Sequence, residues 1–188
     1  MAAATLTRSL GLVILALLAF ALPACQEEPK DATSVKVPIG KTTYTLELAL
    51  VPETRFKGLS GRSEIKPQTG MLFVFPDREV GVKSFVMRDC PIPIDIIYLD
   101  KGGRIVAMHA MVPEPPRTDE EKALSAPSPG APQWTWTNEA YENRLKHYSS
   151  RYSVQFAIEI AGGEIERLGL KEGQKIELDA PALRKRAK

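Results

Sequence analysis

The residues of this chain best able to do chemistry fall in two stretches. "VPETRFKGLSGR", Val51 to Arg62, carries Glu53, Arg55 and Arg62. "MRDCPIPIDIIYLD", Met87 to Asp100, carries Arg88, Asp89, Cys90 and Asp95. Guanidinium forks grip carboxylates and phosphates through paired N–H donors. Glu53, Arg55, Arg62, Arg88, Asp89 and Asp95 therefore form a candidate polar pocket for a small anionic or polyhydroxyl ligand, with no cofactor or metal expected. Asp95 is the most telling of them, because apolar residues follow it and an unpaired buried carboxylate is costly. The same charges also suit an ion-pair network that braces a helix against a sheet. A catalytic reading pairs Asp95 or Asp89 with Glu53 as the acid and base of a hydrolase or transferase.

Nucleophilic catalysis needs a base within hydrogen-bond reach of the nucleophile. The chain has two histidines, His109 and His147, so a Cys90–His109 pair is the sharpest form of that reading. Cys90, however, is followed by Pro91, with only Arg88 nearby in sequence to lower its pKa. Free cysteine is among the most buried residue types, and Cys90 reads as a small inert residue at the mouth of a core strand. Phosphate-binding glycine loops, CxxC, HExxH and GxSxG motifs do not occur. A non-enzymatic role is favoured over catalysis.

The start of the chain points to the compartment. Arg8 precedes an apolar run from Leu10 to Leu22, too short to span a bilayer comfortably, and small residues lead to Cys25. This is the layout of a secretory signal over residues 1–24, and "LPAC" looks like a bacterial lipobox. Cys25 is then the lipidated first residue of the mature chain, and Gln26 after it resembles cargo sent to the outer membrane. The expected location is the periplasmic face of that membrane. With Cys25 acylated, Cys90 has no partner left for an internal disulfide. The net charge of +2 gives no support for nucleic-acid binding.

These residues need a scaffold. Removing 24 of 188 residues leaves 164, enough for one domain with a proper core. Residues 25–35 read as a polar tether, 36–180 as a single domain and 181–188 as a basic, frayed tail. "TYTLELAL" alternates as a strand with one side on a core, whereas "GMLFVFP" is continuously apolar, as in a strand buried on both faces. Pro52 suits the first turn of a short helix that Gly58 or Gly61 ends. Further strands are predicted in "VKSFVMRD", in a hairpin of "DIIYLD" and "RIVAMHAMV", in "SVQFAIEI" (153–160) and in "KIEL" (175–178), with a helical turn in "EIERLGLKEG". The pattern gives a mostly β fold: one compact β-sandwich or barrel-like domain with one or two short helices and a long loop insert at 112–150. Within the insert a short helix is predicted with Tyr141, Leu145 and Tyr148 on one side. Trp134 and Trp136 there either pin the loop to the body or, on one face of an extended segment, stack on sugars or a partner protein.

Taken together, "VPETRFKGLSGR", "GMLFVFP", "SFVMRDCPIPIDIIYLDKGGRIV" and "YSVQFAIEIAGGEIERLGLKEGQKI" resemble the bacterial and archaeal domain-of-unknown-function 192 family, from about Val35 to Leu178. The resemblance implies a compact, mostly β fold, often exported and lipidated, and implies no activity. The family pattern falls on Pro52, Glu53, Arg55, Gly58, Leu59 and Arg62, on Gly70 to Phe75, and on Phe85, Met87, Pro93 and Asp95. Cys90 stands where that pattern has threonine, which argues against thiol chemistry as a shared function. The insert from about Glu114 to His147 is longer than in the family. The expected function is binding of a small ligand or an envelope partner through the polar pocket. The alternatives are the carboxylate hydrolase or transferase and a structural envelope module acting through the aromatic insert.

Overall fold

The computed structural model describes Met1 and residues 32–188. The expected signal segment from residue 2 on, Cys25 and most of the expected tether lie outside the described residues. The elements in chain order are β1 (Ser34–Ile39), β2 (Thr42–Ala49), α1 (Pro52–Lys57), β3 (Thr69–Val74), β4 (Gly81–Phe85), β5 (Ile94–Leu99) and β6 (Ile105–Met111), followed by α2 (Glu139–Arg144), β7 (Tyr148–Val154), β8 (Phe156–Ala161), α3 (Glu164–Leu168) and α4 (Ala180–Arg186). β1, β2, β3, β8, β5 and β6 lie in that order in one six-stranded sheet, and β4 pairs with β7 in a small second sheet. β2 and β3 run parallel, with α1 in the connection between them; the other pairings are antiparallel. The fold is thus mostly β, as the sequence predicts, and the large sheet stays open rather than closing into a barrel.

The large sheet carries apolar side chains on both faces, so strand alternation separates two cores. On one face Tyr44, Leu46, Leu72, Val74, Ile97 and Ile158 pack with Ile176 and Leu183 from the C-terminal segment. On the other, Met71, Phe73, Ile96, Tyr98 and Ala157 meet Leu59, Met87, Cys90, Tyr148 and Val154 from the connections and the small sheet. Each fully buried Ile or Phe contributes roughly 1.5–3 kcal/mol, and the two-sided burial explains why "GMLFVFP" and "DIIYLD" show no polar face.

Local sequence sets the details. Pro52 sits at the start of α1 after extended Val51, and Gly58 ends the helix with φ of 52°. The predicted single strand in "SVQFAIEI" is two, because the chain changes sheets at Gln155. The Gln155 backbone bonds Leu99 and Phe75, at 3.0 Å each, and its side-chain amide donates to the Phe75 carbonyl. "KIEL" contributes one isolated bridge, Arg104 to Lys175, and forms no strand. β1, unseen in the sequence, begins at Ser34 inside the expected tether. The expected frayed tail is helical instead: Asp179 caps α4 by accepting from the Ala182 N–H at 3.1 Å, and Leu183 is buried. In the insert, Tyr141, Leu145 and Tyr148 are all buried, but not on one helix: α2 ends at Arg144, Leu145 is its C-cap and Tyr148 opens β7.

Candidate functional site

The six charged residues read from the sequence do not converge. Glu53 is exposed on α1. Arg62 forms a fork with Glu47 at 2.7 and 2.6 Å, on the surface, which holds the Glu47 carboxyl below its usual range. Arg55 reaches through the gap between α1 and the sheet. It donates to the carbonyls of Leu50 (2.8 Å), Val74 (3.3 Å) and Lys188 (2.9 Å) and to the Glu79 carboxylate (3.0 Å). Arg88 forks onto Glu142 of α2 with two 2.6 Å bonds and lies 4.3 Å from the Phe56 ring centre. Asp89, at φ of 52°, takes a fork from Arg117 at 2.8 and 2.9 Å. Each of these arginines already has an acidic partner, so the bracing network is what these contacts build.

Asp95 lies on the opposite face of the sheet from Arg55 and Arg88, because it alternates with Ile94 and Ile96. Its Oδ2 accepts from the Ile165 N–H of α3 at 2.6 Å, and it is almost fully buried. Burial raises its pKa, and the backbone N–H groups at the start of α3 pull the other way. Asp95 thus anchors α3 to the sheet rather than joining a pocket with the arginines.

The cavity that does form lies between α1, the sheet and the small sheet, with a volume of about 410 Å³. Its walls include Phe56, Phe75, Phe85 and Trp134, and its lining includes Lys57, Lys83, Ser84, Arg55 and Arg88. Ser60, Cys90 and Glu159 line it as well, and of these Cys90 and Glu159 are buried. Lys57 and Ser84 are exposed, marking the mouth. Lys83 is half-buried with its ammonium 4.7 Å from the Phe75 ring centre. Trp134 meets Phe56 edge-on at 5.7 Å, which ties the insert to α1. Because Gln133–Thr135 is a 3₁₀ turn, Trp134 and Trp136 do not share an extended face; only Trp134 reaches the cavity.

Glu159 is the residue that sequence reasoning missed. It is 5% exposed, its Oε2 has no hydrogen-bond partner among the described residues, and burial pushes its carboxyl up to about 8. The Leu59 backbone and the Arg62 charge lower it only in part. Cys90 beside it is no nucleophile at neutral pH: burial first, then Glu159, push the thiol up to about 11, and its Sγ–H donates to the Arg88 carbonyl at 3.4 Å. His109 does not serve it, since its Nε2 pairs with the Ser149 carbonyl at 2.8 Å. His147 bonds Ser84 Oγ at 3.2 Å. A second hollow of about 360 Å³, bounded by Asp89, Arg117, Tyr141 and the Pro115–Pro116 pair, meets the first at Cys90. Of its charged groups, Asp89 and Arg117 pair with each other, Lys122 with Asp119, and Glu114 accepts from the Lys146 N–H.

No match was found among curated proteins. Two solved structures share the fold. One is a protein of Sinorhizobium meliloti 1021 described as a candidate transcription regulator, at 24% identity and a TM-score of 0.53, over 77% of this chain and 91% of that one. The other is a protein of unknown function from Novosphingobium aromaticivorans DSM 12444, at 24% identity and a TM-score of 0.54, over 77% and 84%. The family profile described as "Uncharacterized ACR" matches residues 35–178, the span that holds every residue of the cavity and, but for Ser34, both sheets. By that match the chain belongs to the domain-of-unknown-function 192 family.

Proposed function

We propose that this protein is a cell-envelope binding domain, tethered to the periplasmic face of the outer membrane by acylated Cys25, that holds a small organic anion in the cavity beneath α1. The observation that carries the reading is the cavity itself: a hollow of about 410 Å³, walled in part by four aromatic rings, with an unpartnered, buried carboxyl in its lining. That volume falls in the range of small-molecule sites, which are mostly apolar with a few placed polar groups. The charge of the lining supports an anion. Arg55 and Arg88 are neutralised by Glu79 and Glu142, whereas Lys57 and Lys83 have no acidic partner among the described residues.

One observation favours a catalytic reading: the Glu159 carboxyl titrates near the pH at which a general acid or base works best. It is the weaker reading, because the only other carboxylate in the lining, Glu79, is held by Arg55.

Two experiments test the proposal. Titration of the mature domain with 4-isopropylbenzoate is expected to shift the NMR signals of Gly58, Ser60, Phe85 and the Trp134 indole. Ser84→Trp, which plugs the mouth, is expected to abolish the shifts, and Lys57→Glu with Lys83→Glu to weaken binding by about tenfold. Shifts confined to the hollow around Tyr141, or binding that survives the plug, would refute the site. For the anchor, Cys25→Ser is expected to move the protein from the membrane fraction to the soluble periplasm; a variant that stays with membranes refutes the lipid tether.

A further inference from the structure

We infer that Glu159 enters the binding site as a neutral carboxylic acid whose proton is donated to an uncharged oxygen acceptor at the inner end of the ligand. The ligand class is then an organic anion carrying a carbonyl or ether oxygen at the end remote from its charge. This inference rests on the cavity being the ligand site.

Geometry makes the argument. Glu159 alternates with Ile158 and Ile160 on β8, so it faces the same side as Ala157, toward the cavity and away from the core shared by Ile158 and Leu72. Above it the chain passes through Gly58, where a β-carbon would come within 3.4 Å of Oε2 and 3.3 Å of the Phe73 ring. Gly58, at positive φ, therefore packs directly over the carboxyl, where any larger residue would be strained and would press on Oε2 and the Phe73 ring. The Leu59 backbone lowers the pKa of the carboxyl, while Oε2 has no hydrogen-bond partner among the described residues.

A charged carboxylate at this depth needs a cation, and among the described residues none pairs with it. Arg62, beyond α1, is the one cation that lowers the Glu159 carboxyl, and its fork is closed on Glu47. Arg55 and Arg88 are likewise closed on Glu79 and Glu142. The other titratable groups that feel Glu159 are Cys90, from the turn after β4, and Tyr98, on β5. Both are raised by the glutamate, and both are neutral at ordinary pH. Lys57 and Lys83 line the same cavity, Lys57 at its exposed mouth. With the proton kept, Glu159 presents an O–H donor to an aromatic hollow, and an orphan buried donor is a strong selector for a ligand acceptor. The elevated carboxyl, at about 8, agrees with this protonation state.

The test uses three probes on the mature domain by calorimetry: 4-acetylbenzoate, its isostere 4-isopropylbenzoate, which lacks the acceptor, and benzyltrimethylammonium, a permanent cation. At neutral pH the acetyl compound is expected to bind about tenfold tighter than the isopropyl compound, the value of one buried hydrogen bond. Taking the ratio of the two affinities removes any effect of the lysines. That ratio is expected to fall toward one as pH rises through about 8, a total change of at most about tenfold, because only the protonated acid donates. Glu159→Gln, whose amide donates at every pH, is expected to keep the preference and lose its pH dependence; Glu159→Leu is expected to lose the preference. A ratio near one at neutral pH, or a ratio that does not change with pH, overturns the inference while leaving the site in place; preferential binding of the ammonium probe overturns the inference and the anion reading together. Binding of none of the three at millimolar concentration overturns the inference and the proposed site together.

Discussion

Gly70→Ala is expected to destabilise the domain by roughly 3 kcal/mol or more, a loss of about 6–12 °C in melting temperature. Gly70 pairs with Ile160 where β3 meets β8, at the centre of the large sheet. A β-carbon there would lie 2.2 Å from the Glu159 carbonyl oxygen, 2.9 Å from Ile160 Cγ2 and 3.1 Å from Leu46 Cδ2. The first contact is with backbone already held in the sheet, so relief requires the two strands to part. Parting them disturbs the core that contains Leu46 and Ile160 and moves the segment that carries Glu159. Gly81→Ala is the control, because a β-carbon at Gly81 meets nothing within 4 Å; its effect is expected within about 0.5 kcal/mol. Thermal melts of both variants decide the matter. An unchanged midpoint for Gly70→Ala would show that β3 and β8 can separate without loss.

The same crossing explains how much of this protein was legible in its sequence. Alternation in "TYTLELAL" and the unbroken apolar run of "GMLFVFP" were enough to mark β2 and β3, because local pattern records which faces are covered. Pattern does not record which strands become neighbours. Glu159 lies in "SVQFAIEI", where alternation turns Val154, Phe156, Ile158 and Ile160 toward a core and leaves the residues between them unassigned. β8 sits between β3 and β5, both buried on two sides, so its second face is buried as well. A neighbour assignment for β8 would have flagged the glutamate.

Arg55 and Arg88 line the cavity, but their forks and that of Arg62 are taken up by acidic partners. Their partners Glu79, Glu142 and Glu47 lie 24, 54 and 15 residues away in sequence, so a spacing argument could not show that their forks were already filled. Asp95 was legible as a buried carboxylate in need of a partner. That its partner is the backbone of α3, on the far side of the sheet, followed only from strand register.

Glu159 also makes a stability prediction that needs no ligand. In the unfolded chain its carboxyl titrates near the ordinary value of about 4.3, and in the folded protein burial holds it at about 8. Between those values the folded state keeps a proton that the unfolded state has released. Stability contributed by this group is therefore fully present below about pH 4 and declines as pH rises, with a slope of at most about 1.4 kcal/mol per pH unit, until the folded carboxyl ionises. The salt-bridged carboxylates work in the opposite sense. Glu47, Glu121 and Glu164 are held below their usual range, by Arg62, Arg144 and Arg167 respectively, so their contribution is lost as pH falls. The two effects overlap in a wild-type curve and separate in a difference curve. Glu159→Gln removes only the first. Urea denaturation of the wild type and the variant from about pH 5 to about pH 9 is expected to show the variant gaining steadily on the wild type, by on the order of 3 kcal/mol across that window, and then levelling off. A difference that stays constant with pH would mean that Glu159 is ionised in the folded protein, and that a cation not found beside it is compensating its charge.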